Sequence, residues 1–291
     1  MLEDNQGRTM KSNKAMKILK IVLALAFCGT VAVLALKMTE STAVLEKGEM
    51  GIIAHRGFWN CEEAGYARNS VAALRCAQEN GFWGSEFDVN ITADSVLVVF
   101  HDDIVNGKRF SEHPYSEFSD IVIENGETIP TIDQYLEQGA KYPKTMLVYE
   151  LKPQSSLELE ETLVNLSIEK LKEYNLLNPK RVMFISFSYY MTCRIAKMLP
   201  DFNVQYLSGG KEPQDLLADG VNGLDYAHSF FVNHPEWADQ ARELGMTTNI
   251  WTVNTEDYML QTIDFGIMYI TTDCPLEARR VIKENGVKEV R

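Results

Sequence analysis

Eight short runs rich in β-branched and other apolar residues recur along the chain, at 51–55, 84–88, 146–150, 182–186, 204–207, 223–226, 247–253 and 268–272. Segments with helical character follow them, at 70–80, 132–140, 156–174, 189–198, 213–218, 235–244, 255–265 and 275–285. This alternation restricts the fold more than any other feature. Parallel neighbours need a crossover of about a dozen residues, which a helix supplies. Eight such units predict an α/β chain folded as a (β/α)8 TIM-type barrel. A doubly wound open sheet is the alternative, but no glycine-rich phosphate loop follows any strand. Local punctuation agrees: Pro235 and Pro275 suit first helical turns, and Gly81, Gly245 and Gly266 suit C-terminal caps.

One run breaks the alternation. Residues 96–100 follow Asp88 after only seven residues, too few for a crossover, and residues 90–95 are rich in turn formers. They predict a hairpin insertion after strand 2, whose return arm ends in His101-Asp102-Asp103.

The N-terminus carries a second constraint. Residues 18–36 are apolar apart from Lys20, Gly29 and Thr30, and Arg8, Lys11, Lys14 and Lys17 precede them. A membrane-spanning helix needs roughly 20 such residues. The flanking charge predicts a cytoplasmic N-terminus. A cleaved signal peptide is the competing reading, although no clean small-x-small site follows Leu36. The expected organisation is a basic cytoplasmic segment at 1–17, a transmembrane helix at 18–37, a polar tether at 38–49 and one barrel domain at 50–291. The protein is then expected in the cell membrane, with its folded part extracytoplasmic.

Residues 51–291 hold 21 Lys/Arg against 36 Asp/Glu. So acidic a domain is a poor general partner for nucleic acid, which needs clustered cations. Cys61, Cys76, Cys193 and Cys274 form no CxxC pair, which argues against a zinc site. An extracytoplasmic domain could oxidise a pair of them or leave them as isolated thiols.

Active sites of such barrels sit at the C-terminal ends of the strands. There the sequence places His55-Arg56, Glu86 and Asp88, Glu150 and Lys152, and Trp251 with Asn254. Side chains two apart on a strand share a face, so Glu86 and Asp88 point together. Crowded carboxylates repel unless a cation lies between them, and oxygen donors without thiolate suit Mg²⁺ or Ca²⁺. A solvated salt-bridge cluster at the rim is the bland alternative. His55 and His101 each close an apolar run and suit acid–base work near neutral pH. Arg56 and Lys152 could hold an anion, and Lys152 could equally pair with Glu150.

HRG (55–57), Asn69-Ser70, ExD (86–88), HDD (101–103), IPT (129–131), ELK (150–152), SF (186–187), WTVN (251–254) and TTDCP (271–275) occur in this order. The ordered set resembles the glycerophosphodiester phosphodiesterase family over residues 50–285. The resemblance implies a phosphodiesterase barrel related to phosphatidylinositol-specific phospholipase C. It implies Glu86, Asp88 and Glu150 as ligands of one divalent cation, and His55 and His101 as the general acid/base pair. Arg56 and Lys152 would bind phosphate, Trp251 would border the substrate pocket, and Asn254 would lie nearby. The implied reaction converts glycerophosphodiesters to glycerol 3-phosphate and an alcohol. Lysophospholipase D-like action on a lysolipid is an alternative, and a catalytically silent membrane-tethered binding module is another. Two departures stand out. Ala67-Arg68-Asn69 replaces Pro-Glu-Asn, and the segment between HDD and IPT is short.

Overall fold

The computed structural model describes residues 44–291. The expected segments at 1–17 and 18–37 lie outside them; among the described residues no helix is long and apolar enough to cross a membrane. In chain order the strands are β1 (Glu49–Ala54), β2 (Gly84–Ile91), β3 (Leu97–Val99), β4 (Ile104–Val105), β5 (Lys108–Arg109), β6 (Met146–Leu151), β7 (Val182–Ser186), β8 (Val204–Tyr206), β9 (Gly223–Ala227), β10 (Thr247–Trp251), β11 (Tyr269–Thr272) and β12 (Lys288–Val290). The helices are α1 (Val71–Glu79), α2 (Ile132–Ala140), α3 (Leu157–Glu173), α4 (Tyr189–Met198), α5 (Pro213–Ala218), α6 (His228–Asn233), α7 (Glu236–Glu243), α8 (Glu256–Asp264) and α9 (Pro275–Glu284).

Strands β1, β2 and β6 to β11 pair in parallel, and β1 pairs with both β2 and β11 to close the ring. This is the expected eight-stranded barrel. Period-two alternation sorts its side chains. Ile53, Val148, Met183, Ile185 and Tyr269 pack inside, while Phe87, Tyr149, Phe184, Leu224 and Ile250 pack outward in the larger core that includes helix residues. Residues 44–49 belong to this folded unit, although the sequence placed them in a polar tether. Leu45 joins the interior cluster and Glu49 opens β1, pairing with Lys288 of β12.

The run at 96–100 behaves as a return arm. β3 lies antiparallel to β2, with Val89 opposite Val99. Beyond it the insertion has its own small core of Val98, Phe110, Phe118 and Ile129. The amide of Phe100 donates to Asp88 O at 3.0 Å, and Asn90 Nδ2 donates to Phe100 O at 2.9 Å. These bonds hold the residues flanking His101 against β2.

Between β1 and α1 the chain turns through two left-handed residues, Arg56 (φ 57) and Gly57 (φ 76). Gly57 also donates its amide to Glu86 O at 3.0 Å. A Cβ here would lie 2.7 Å from the Ala73 carbonyl carbon, inside α1. Both the conformation and the space therefore require glycine. Gly57→Ala is expected to destabilise the protein by about 1–3 kcal/mol. Denaturant titration checks this; an unchanged midpoint would show that the turn can relax.

Candidate active site

Register brings the acidic residues together. Asp88 lies opposite Glu150 across the β2–β6 pairing, and Glu86 shares the inward face two residues earlier. One ligand oxygen from each of Glu86, Asp88 and Glu150 falls within 4.8 Å of the others, and all three residues are buried. Their environments differ. Burial pushes Asp88 up, but Lys152, His101, Asn69 and Arg56 outweigh it and hold the carboxyl below its ordinary value. Lys152 Nζ lies 3.1 Å from Asp88 Oδ1 and 2.7 Å from Glu150 Oε1. Burial, then Asp88, raises Glu150 to about 7 against the pull of Lys152. Burial, then Asp88 and Glu150, raises Glu86 well above its ordinary range. The Arg56 amide donates to Glu86 Oε2 at 2.7 Å, while Oε1 has no hydrogen-bond partner. Crowded oxygen donors, an orphaned buried oxygen and repelling charges fit a hard divalent cation.

Each expected histidine faces a carboxylate through Nδ1. His55 lies 2.8 Å from Asp273 Oδ1, and His101 lies 2.7 Å from Asp102 Oδ1. Such a partner fixes the ring and leaves Nε2 available to a ligand. Asp273 is itself held: Trp59 Nε1 donates to it at 3.0 Å and Asn254 Nδ2 at 2.7 Å. Burial opposes its ionisation, but His55, Trp59 and Asn254 lower it to about 2. Desolvation lowers His101, with Lys152 and Arg56 adding to it against Asp88 and Asp102.

His55, Arg56, Glu86, His101 and Glu150 share one cavity of about 90 Å³ with Trp251. Its apolar side includes Ile185, Phe187 and Leu207, and Phe187 meets Trp251 edge to face at 5.5 Å. Lys152 and Asn254 do not line it. Lys152 bridges Asp88 and Glu150, and Asn254 holds Asp273.

Several participants escaped sequence reasoning. Asp273 lay within the quoted TTDCP motif, where strand alternation from Thr271 puts it on the inward face. Asn69 holds Asp88 from both sides: its Nδ2 donates to Oδ2 at 2.8 Å, and its Oδ1 accepts from the Asp88 amide at 3.2 Å. Its left-handed backbone (φ 57) is a conformation that asparagine tolerates. Glu127, from the insertion, accepts from the amides of Val71 and Ala72 at 3.0 and 3.2 Å. It supplies a carboxylate to the start of α1, close to where the sequence departs from Pro-Glu-Asn.

A closed parallel barrel with clustered carboxylates, two carboxylate-backed histidines and an arginine at its strand ends suits metal-assisted hydrolysis of an anionic ester. Comparison with known proteins makes this specific. The glycerophosphoryl diester phosphodiesterase family profile matches residues 55–277, and the chain belongs to that family. A glycerophosphodiester phosphodiesterase from Caldanaerobacter subterraneus is 29% identical over 251 residues, covering 81% of this chain and 98% of the relative. The crystal structure of a glycerophosphodiester phosphodiesterase from Parabacteroides distasonis is 38% identical with a TM-score of 0.79, covering 82% of this chain and 99% of that one. An Oleispira antarctica phosphodiesterase, solved with the product sn-glycerol-3-phosphate, is 25% identical with a TM-score of 0.69, covering 80% of this chain and 96% of that one.

The carboxylate cluster has a pH consequence. Without cation, Glu86 and Glu150 keep their protons to higher pH when folded than when unfolded. Their contribution to stability is present below the ordinary glutamate range of about 4.3 and is lost as pH rises, through about 7 for Glu150. A bound cation needs the ionised forms and reverses the trend. The gap in melting temperature between cation-loaded and chelator-treated protein should widen from pH 5 to about 7.5. A gap that stays at zero throughout would count against the cation site.

Proposed function

We propose that the chain hydrolyses glycerophosphodiesters to glycerol 3-phosphate and an alcohol by acid–base catalysis between His55 and His101. The observation that carries this reading is the paired arrangement of the two histidines: each has Nδ1 on a carboxylate and its ring on the same cavity as Arg56. Arg56 binds the phosphodiester oxygens. His101, lowered by desolvation and by Lys152 and Arg56, is neutral near pH 7 and takes the proton of the nucleophile, water or the neighbouring glycerol hydroxyl. His55, backed by the ionised Asp273, delivers a proton to the leaving alcohol. Asp273 acts through His55 and is a positioning residue. Glu86, Asp88 and Glu150 would hold one divalent cation, Mg²⁺ or Ca²⁺, which when bound supplies positive charge to the phosphoryl oxygens. Lys152 balances the carboxylates, and Trp251 walls the pocket.

The apolar segment at 18–37 is proposed to tether this enzyme to the cell membrane with the barrel on the extracytoplasmic side. Carbonate extraction of membranes and protease protection of the barrel test that placement separately from the chemistry.

The chemistry is tested on the full chain in detergent with a panel of glycerophosphocholine, glycerophosphoethanolamine and lysophosphatidylcholine, with chelation and cation add-back. Cation-dependent release of glycerol 3-phosphate is expected, and a preference for lysophosphatidylcholine would move the assignment to a lysolipid. His101→Ala should lower kcat by about 10²–10⁴-fold. Asp273→Asn should lower it by about 10²-fold and change the pH–rate profile, which a purely structural residue would leave unmoved. Near wild-type turnover by a folded His101→Ala protein would sink the acid–base assignment.

A further inference from the structure

The cavity extends past the groups used above. His101, whose side chain is 42% exposed, lines it, and so does Asp225 of β9, 1% exposed. Asp225 Oδ1 is buried without a hydrogen-bond partner. Burial, then Glu150, pushes the Asp225 carboxyl well above its ordinary range; Asn249, opposite it on β10 in the strand register, opposes that shift yet closes no bond of normal geometry to Oδ1. Its own Oδ1 is occupied by Thr271 Oγ1 at 3.1 Å and by the Ile250 amide at 2.9 Å, and its Nδ2 is also unpartnered. Two unpaired polar groups thus sit on adjacent strands in a barrel interior that is otherwise packed with Ile185, Leu207 and Trp251. The backbone of Asp225 also fixes that tryptophan, accepting from Trp251 Nε1 at 2.9 Å.

Buried polar groups in native proteins are almost always paired, so an orphaned carboxyl oxygen on a cavity wall, with an orphaned amide on the next strand, calls for a ligand group. A carboxyl beside a primary amide offers both an acceptor and a donor. A hydroxyl uses both, donating to the one and accepting from the other. Neither an alkyl chain nor a second phosphate is served equally well here, because the first leaves both groups unpaired and the second would bury a further anion where, among the described residues, no Lys or Arg side chain pairs with Asp225.

We propose that Asp225, aided by Asn249, is a specificity-determining residue that hydrogen-bonds a hydroxyl of the substrate's glycerol moiety. The proposal rests on the glycerophosphodiester reading above. It explains why a barrel strand bearing no catalytic group carries a buried carboxyl into the cavity.

The test compares wild type, Asp225→Asn and Asp225→Leu on two substrates. Glycerophosphocholine carries the hydroxyls; bis(4-nitrophenyl) phosphate carries none. Asp225→Leu should lose about tenfold or more in kcat/KM on glycerophosphocholine, the scale of one buried hydrogen bond. It should stay within about twofold of wild type on the chromogenic diester, whose hydrolysis also reports the folded, active fraction. Asp225→Asn should recover most of the loss. Inhibition should follow the same division: Asp225→Leu weakens sn-glycerol 3-phosphate but not inorganic phosphate. Equal losses on both substrates, or no loss on either, overturn the subsite. Wild-type protein that hydrolyses only the chromogenic diester strikes the glycerophosphodiester assignment itself, and the subsite falls with it.

Discussion

Three carboxylates buried around one point are the most demanding feature of this molecule. Glu86, Asp88 and Glu150 repel one another inside a low-dielectric barrel mouth, and ionised groups so placed need partners or a cation. Much of the surrounding structure answers that demand. Arg56 and Asn69 adopt left-handed backbone, one offering an amide to Glu86 and the other a side-chain clamp to Asp88. Gly57 makes the first of these turns sterically possible. Such strain persists where neighbouring structure holds it, and here packing against α1 does so.

The same strands that carry the carboxylates position the histidines. β2 continues past Asp88 to Ile91, long enough to bind its own return arm. The bonds from Phe100 to Asp88 and from Asn90 to Phe100 hang His101 on the strand that bears two of the three acidic residues. His55 follows β1, which pairs with β2 on one side and with β11 on the other, the strand that leads into Asp273. Barrel closure therefore sets the position of His55 relative to both its carboxylate and the acidic cluster. An open sheet would have left β1 and β11 apart.

The barrel was legible because its signal is repeated: eight strand–helix units each carry the same pattern. The carboxylates and both histidines were legible because they close apolar runs, where a polar residue is out of place. What escaped depends on contacts between distant segments. Glu127 lies in an irregular insertion, and nothing local marks it as the cap of α1. Asp225 sits in a strand read correctly, but its unpaired state arises only when Asn249 fails to satisfy it. The pairing of Lys152 with Glu150 was one of two readings the sequence offered, whereas its bond to Asp88 and that of Asn254 to Asp273 join segments far apart in the chain. Leu45 looked like part of a tether because one apolar residue among polar neighbours has no periodicity to report it.

Charge balance gives the placement of Lys152 its sense. The acidic cluster carries three carboxylates, and the cations packed on it are Lys152 and Arg56. Fully ionised, this group carries one net negative charge, in line with burial and Asp88 leaving Glu150 at about 7. A divalent cation turns the total to one positive charge, the complement of a single phosphodiester anion. Were Lys152 swung into the cavity to grip phosphate, Asp88 and Glu150 would lose their nearest compensating charge. Arg56 lines the cavity with its amide fixed on Glu86, and its guanidinium stands farther from Asp88, at 3.6 Å, than Lys152 does at 3.1 Å. The close approach of Lys152 to two of the three acids thus follows from the cost of burying them.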